Sequence, residues 1–270
     1  MTLAASGYPT KKLVLNLVKE AGEPVSAQML IRMGELFGID NNNVRVTLNR
    51  LSKTGFLSAS ERGMYELGMA SEGLAAQQRA WRKLESGLCD WNGGWLMIYV
   101  AHLGRRDRKS LRRRERAASM LGFAASHQGL LIRPDNLIAA LGDIQDQLFN
   151  LGMDEEATLL KVADVARIQQ FDIGGLWPIS DIEEGYRQRI QTMQRWRRSV
   201  TDKSLEEAAR ESFLIGDEVL RSIAYDPRLP EEMIDTGLRR ELVSEMAIFD
   251  DIGRQIWGDF MKRLETSPDK

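Results

Sequence analysis

Apolar positions in the first 68 residues recur at helical spacing three times and then switch to alternation. Leu13, Val14, Leu17 and Val18 share one face of a helix over 11–21. Thr10 is its expected cap, and Gly22-Glu23-Pro24 breaks it. Met29, Leu30 and Met33 mark a second helix that runs to Phe37, capped by Ser26 and ended by Gly38. A third helix is expected over 41–53, with Asp40 or Asn41 as cap and Val44, Leu48 and Leu51 at i, i+4 and i+7. Gly55 stops it, 56–60 alternates as a strand, 61–63 turns and 64–67 returns. Three helices followed by a two-stranded hairpin is the order of a winged helix-turn-helix.

The pattern then changes character. Residues 71–87 read as a polar linker helix with Leu74, Ala75, Trp81 and Leu84 apolar, and Asn92-Gly93-Gly94 is a turn signal. Trp95–Leu103 reads as a buried strand, 108–121 as a helix, 129–132 as a short strand, 135–151 as a helix and 158–165 as a strand. Strand, helix, strand, helix, strand suggests a small ferredoxin-like α+β domain. From Ile179 onward the pattern is helical over 180–199, 203–225 and 237–265, with Asp226-Pro227-Arg228-Leu229-Pro230 breaking the last two apart. The expected fold class is therefore α+β and mostly helical. Its expected parts are a winged helix-turn-helix over 1–69, a linker helix over 70–92, a ferredoxin-like middle domain over 93–175 and an all-helical domain over 176–270.

Composition narrows the classes. With 270 residues, 43% of them hydrophobic and 28% charged, the chain is long enough to bury cores without staples. Cys89 is the one cysteine, so no disulfide within the chain is possible, and with His102 and His127 it cannot build a conventional zinc site. No metal site is expected. No uncharged apolar run reaches the roughly 18 residues of a membrane helix, and the N-terminus MTLAASGYPTKK has no signal-peptide core. The expected location is cytoplasmic, with no membrane partner. Net charge is 37 minus 39, or −2, but it is unevenly spread. Residues 1–68 carry 8 Lys/Arg against 6 Asp/Glu, residues 199–270 carry 10 against 17, and residues 105–116 hold eight basic side chains. A polyanion is expected to meet the front of the chain.

The third helix carries the most informative chemistry. At about 100° per residue, Asn42, Val46, Asn49 and Lys53 fall opposite its buried stripe, flanked by Asn43 and Arg50, with Arg45 and Thr47 on the shoulders. Asn can pair two-pronged with adenine and Arg with guanine, and Val46 or the Thr47 methyl suits a thymine methyl. Lys53, and Arg62 in the hairpin turn, are expected on phosphates, which give affinity without sequence information. The plainer reading is a surface helix that is polar on its outside; the hairpin that follows and the position at the front of the chain favour DNA.

Three stretches resemble one family. They are Asn43-Val44-Arg45-Val46-Thr47-Leu48-Asn49-Arg50-Leu51 with Thr54-Gly55-Phe56-Leu57; Trp91 and Gly93-Gly94-Trp95 with an Arg-rich helix, Leu121-Gly122-Phe123 and 129–134; and Tyr225-Asp226-Pro227-Arg228-Leu229-Pro230. In this order they resemble the PaaX-type transcriptional repressors, named for the regulator of phenylacetate catabolism. Ser60-Glu61-Arg62-Gly63-Met64-Tyr65 departs from the family's Arg-rich wing, and Asp235-Thr236-Gly237-Leu238 from its DWPG-type step. The resemblance implies a winged helix, a ferredoxin-like middle domain similar to the CRISPR-associated Cas2 proteins, and a helical C-terminal domain. It also implies a homodimer on double-stranded DNA with a palindromic operator, released by an effector such as an acyl- or aryl-CoA thioester, in aromatic catabolism. No other cofactor is expected.

Two basic clusters are the candidate effector site. Arg105, Arg106, Arg112 and Arg113 belong to the basic helix, whose other readings are DNA backbone contact, pairing with the acidic C-terminal helices, or a solvated face. Arg187, Arg195 and Trp196 could line an aromatic, anion-binding cleft, or could simply pack Arg stems over a Trp ring. The chain has no GK[ST] phosphate loop, GxSxG or HExxH, so no enzyme is expected. A nuclease reading drawn from the Cas2 likeness finds no carboxylate at the end of the first middle-domain strand before Asp107. The expected function is a sequence-specific, ligand-responsive DNA-binding repressor. The alternative is a winged-helix adaptor that binds another protein without reading DNA.

Overall fold

The computed structural model describes residues 8–60, 63–71, 80–104, 106–127, 129–163 and 173–266. They form a mixed α+β protein with two small antiparallel sheets. The chain groups into two compact units: Met1–Arg79 with Arg195–Glu218 and Ile248–Lys270, and Ala80–Gln194 with Val219–Ala247.

In the first unit the order is α1 (Thr10–Ala21), β1 (Val25–Ser26), α2 (Ala27–Leu36), α3 (Asn41–Lys53), β2 (Leu57–Ala59) and β3 (Met64–Leu67). Thr10 is the first helical residue and not the cap. Pro9 holds the cap position without a side-chain bond, its φ of −62° fitting the entry to the helix. Ser26 and Asp40 cap as the sequence indicates: the Ser26 hydroxyl accepts from Met29 N at 3.1 Å, and the Asp40 carboxylate from Asn43 N at 2.9 Å. Gly38 and Gly55 end α2 and α3 in left-handed conformations, at φ +72° each. The strand β1 is new. Two residues are too few to alternate, yet they pair with β3 and give a sheet ordered β1-β3-β2.

Leu13, Val14, Leu17, Val18, Leu30, Met33, Val44, Leu48, Leu51 and Leu57 bury themselves in one core. Phe213, far along the chain, joins that core and meets Tyr8 and Phe37 edge-on, with ring centroids 5.9 and 5.0 Å away. Asn16 on α1 donates to Asp217 at 2.7 Å, and Lys12 pairs with the same carboxylate.

The second unit contains β4 (Trp95–Tyr99), α4 (Arg108–Met120), β5 (Ala124–His127), β6 (Leu130–Pro134), α5 (Leu141–Leu151) and β7 (Thr158–Val162). The sheet is ordered β5-β6-β4-β7, antiparallel throughout, with β4 between β6 and β7. The strand β5 was not expected: Ala124-Ala125-Ser126-His127 has neither alternation nor β-branching, and its pairing to β6 shifts register between Ala125 and His127. Helix α5 begins six residues later than the pattern indicates, because 135–138 is held extended: Asp135 N bonds Gly94 O at 3.0 Å and Ile138 N bonds Gly87 O at 3.1 Å. The end of the expected last strand and residues 72–79 of the expected linker helix lie outside the described residues. Within its described part, Ala80–Lys83 and Glu85–Gly87 are 3-10 helix.

After a short helix α6 (Ile173–Leu176) come α7 (Ile179–Ser199), α8 (Leu205–Ala224) and α9 (Thr236–Thr266), close to the expected spans. The division between units falls inside each of the three. The 31 residues of α9 make a rod of about 46 Å, longer than one small core needs.

The Asp226–Pro230 break is a buried polar knot in the second unit. Arg133, fully buried, donates to Leu121 O, to Pro134 O at 3.1 Å and to Asn136 Oδ1 at 2.9 Å. Asn136 passes the chain on to Arg228 O at 2.9 Å. Asp226 accepts from the Tyr186 hydroxyl and, at 2.7 Å, from Arg228 N. Arg239 reaches Leu229 O at 2.7 Å and Glu85 at 2.8 Å. Burial drives the Arg133 guanidinium down to about 9 and pushes the Asp226 carboxyl and Tyr186 hydroxyl upward. Gly122 is required here: a Cβ on it would stand 2.3 Å from Pro227 O. No helix among the described residues is long and apolar enough to cross a membrane, and none of their His, Cys, Asp and Glu side chains group as metal ligands.

Candidate nucleic-acid interface

Helix α3 is positioned by its buried side. Val44, Leu48 and Leu51 are almost wholly buried, and Val44 Cγ2 lies so near Gly34 on α2 that a Cβ there would come within 2.8 Å. This close α2–α3 contact fixes how α3 is rolled. Asn42, Asn43, Arg45, Val46, Asn49, Arg50 and Lys53 are exposed and Thr47 is half-buried, so the predicted outer face is the observed one. Among the described residues the side chains of Asn42, Arg45, Asn49 and Lys53 make no hydrogen bond or ion pair. Val46 is 58% exposed, a branched apolar side chain with no core role. Asn43 differs from the rest: its amide donates to Asp40 at 2.5 Å and serves the cap.

The β2–β3 hairpin follows directly. Ser58 pairs with Glu66 and Ala59 with Tyr65, and Ser60 N closes the turn onto Met64 O at 2.9 Å. Arg62, predicted at its tip, lies outside the described residues. The face of α3 thus combines two-pronged amide donor–acceptors, guanidinium forks and an apolar contact, the mixture that discriminates base edges.

Residues 13–70 match the family of the PaaX-like protein. The match takes in α2, α3, the hairpin and all of α1 but its first turn. PaaX-like proteins are regulators. The fold as a whole is similar to that of the uncharacterized protein Rv0674 from Mycobacterium tuberculosis, with a TM-score of 0.52 and 24% identity over 91% of this chain and 98% of that one. None of the curated proteins matches the chain.

The basic clusters resolve differently from the sequence expectation. Arg105 lies outside the described residues, and Arg106 is exposed ahead of α4. Arg114 turns inward, where its Nε donates to Asp154 at 2.7 Å and holds that carboxyl below its usual range. The outward side chains are Arg108, Lys109, Arg112, Arg113 and Arg116, which line one shallow depression. Arg108, Lys109 and Arg116 belong to the basic helix but not to the effector-site candidates; a helical projection of α4 around its buried alanines places them on the same face.

On α7, Arg187 is tied to Glu183 at 3.4 Å and Glu184 at 3.9 Å. Arg195 is exposed, but Trp196 is buried against Phe249, with ring centroids 4.6 Å apart. Trp196 is therefore core and not the wall of a cleft. Arg195 and Trp196 also fall in the first unit, whereas Arg112, Arg113 and Arg187 fall in the second. His102 lies in the turn after β4, not in the strand, with Nε2 2.9 Å from Glu156 O.

Proposed function

We propose that this chain is a sequence-specific DNA-binding repressor whose front segment is a winged helix-turn-helix with α3 as the reading helix. The observation that carries this is the face of α3. Asn42, Arg45, Val46 and Asn49 stand outward without partners on a helix whose roll is fixed from behind, inside the segment that matches PaaX-like proteins. Sheet order β1-β3-β2, with α2 and α3 before the hairpin, supports the winged-helix reading. The order β5-β6-β4-β7 with one helix in each crossover supports a ferredoxin-like middle part.

The proposal includes a homodimer on a palindrome, with half-sites one helical turn apart, about 34–36 Å, or a multiple of it. It includes an effector of the acyl- or aryl-CoA thioester class that shifts the population of DNA-competent dimer. It includes no catalysis, a cytoplasmic location and an operon of aromatic catabolism as target.

Selection of sequences from a random duplex pool at physiological salt tests the reading. The expected result is an enriched palindrome for the natural chain and none for Arg45→Ala/Asn49→Ala. Enrichment of the same palindrome by that double variant would overturn the reading-helix assignment. Binding that is blind to sequence in both would replace the repressor with the adaptor.

A further inference from the structure

Helix α4 carries a charge arrangement that its own fold does not need. Arg108, Arg112 and Arg116 form one row at i, i+4 and i+8, and Lys109 and Arg113 form a second beside it. All five are exposed, and none has an ion-pair partner among the described residues. One acid, the exposed Glu115, lies at the edge of the first row, and two more nearby acids are engaged elsewhere. Asp107 caps α4, accepting from Lys109 N at 2.9 Å and from the Ser110 hydroxyl at 2.8 Å. Asp154 is taken by the buried Arg114. On other helices some exposed arginines meet a carboxylate, as Arg187, Arg254 and Arg263 do, and others, such as Arg45 on α3, do not; α4 is set apart by five exposed cations along one face.

The arrangement costs the helix twice. Like charges at i, i+4 repel, and Arg108 and Lys109 sit at the helix end where the dipole favours anions. A bound polyanion offsets both costs. The depression is walled by side chains of this one helix and has no opposite wall. It cannot enclose a small ligand, since small-molecule sites bury most of the ligand surface. An extended chain of phosphates suits it better. From Arg108 to Arg116 the helix rises about 12 Å, against about 3.4 Å of duplex axis per phosphate on one strand. The row can thus follow several consecutive phosphates.

We infer that the outward face of α4 is a second DNA-contacting surface, one that holds the phosphate backbone without reading sequence. This rests in part on the DNA-binding reading of α3 and is separable from it by experiment. The full chain, its Arg108→Gln/Arg112→Gln/Arg116→Gln variant and the Arg→Lys triple are titrated onto a random-sequence duplex across a range of salt, with poly-glutamate as a second polyanion. For the Gln variant the slope of log affinity against log salt is expected to shrink by about 2 to 3, and affinity to drop about 10- to 100-fold. The Lys variant is expected to keep both.

A Gln variant with the natural slope overturns the inference, as does one that loses poly-glutamate but keeps DNA, which would make the face a site for an acidic protein. Removing like charges does not threaten the fold, and Arg112→Gln alone, with an expected slope change of about 1, gives an independent reading. If the natural chain shows no sequence preference yet the Gln variant loses slope, the α3 reading fails and this one stands. If the palindrome is selected and the slope is unmoved, the reverse holds.

Discussion

Helices α3 and α4 each run 13 residues, and each starts on an aspartate whose carboxylate accepts a backbone N–H, Asp40 from Asn43 and Asp107 from Lys109. Their two faces differ. Behind α3 stand three apolar residues, Val44, Leu48 and Leu51; behind α4 stand Ala117, Ala118, Met120 and one arginine, Arg114, neutralised by Asp154. In front of α3 stand amides, guanidiniums and a valine; in front of α4 stand five cations, with Glu115 at their edge. Telling one base pair from another requires different groups at fixed positions, whereas holding a phosphate requires only charge. Two helices with the same local frame are thereby suited to reading and to holding, and the outward residues alone make the distinction.

The largest effect that breaks this comparison is on specificity. On the proposed function, Arg45→Ala/Asn49→Ala would remove two base-edge contacts worth about 1–3 kcal/mol each. Preference for the selected sequence over a random one is expected to fall about 100-fold or more, with little change in affinity for random DNA by anisotropy. Next is stability behind α4. Arg114→Ala strands Asp154 beside the helix and is expected to cost about 2–3 kcal/mol in urea unfolding, below the value for a fully buried pair because Asp154 is partly exposed. The same pair sets an acid limb. The Asp154 carboxyl is held below its ordinary 3.8 by the Arg114 hydrogen bond. Its stabilising contribution is complete above that value and is lost as pH falls through the depressed one. In a stability–pH series Arg114→Ala is expected to flatten this limb.

Smaller still are the caps. Asp40→Ala and Asp107→Ala should each cost about 1 kcal/mol, and calorimetry of both variants checks whether the two frames are as alike as they look. The smallest effect sharpens the contrast between paired and unpaired arginines: Arg187→Ala, at an exposed arginine with long ion pairs of 3.4 and 3.9 Å, is expected to change stability by less than about 0.5 kcal/mol. A loss several times larger would show that surface ion pairs matter more in this protein than the comparison assumes.

Periodicity made α3 legible. The buried stripe, the Asp40 cap, the Gly55 stop and the outward Asn42, Arg45, Val46 and Asn49 all follow from about 3.6 residues per turn. The clusters were less legible, because a run of basic residues does not say which side chain turns inward. Arg114 could be separated from Arg113 only by the packing that brings Asp154 beside it. Trp196 could be assigned to the core only once Phe249, 53 positions along the chain, was found against it.

The sequence by itself determined the local elements: three helices and a hairpin at the front, the Gly and Pro breaks, the three long helices behind, and which face of α3 is polar. Those are consequences of short-range sterics and amphipathic spacing. Tertiary structure alone decided the rest. It paired the two-residue β1 and the alanine-bearing β5 into their sheets, held 135–138 extended, divided α7, α8 and α9 between two units, and gathered Arg133, Asn136, Tyr186, Asp226 and Arg239 into one buried polar knot. Apart from β5, which pairs with its neighbour β6 in a shifted register, these outcomes depend on partners dozens of residues away. Strand pairing and the satisfaction of buried polar groups are properties of the assembled interior, which no local window of sequence contains.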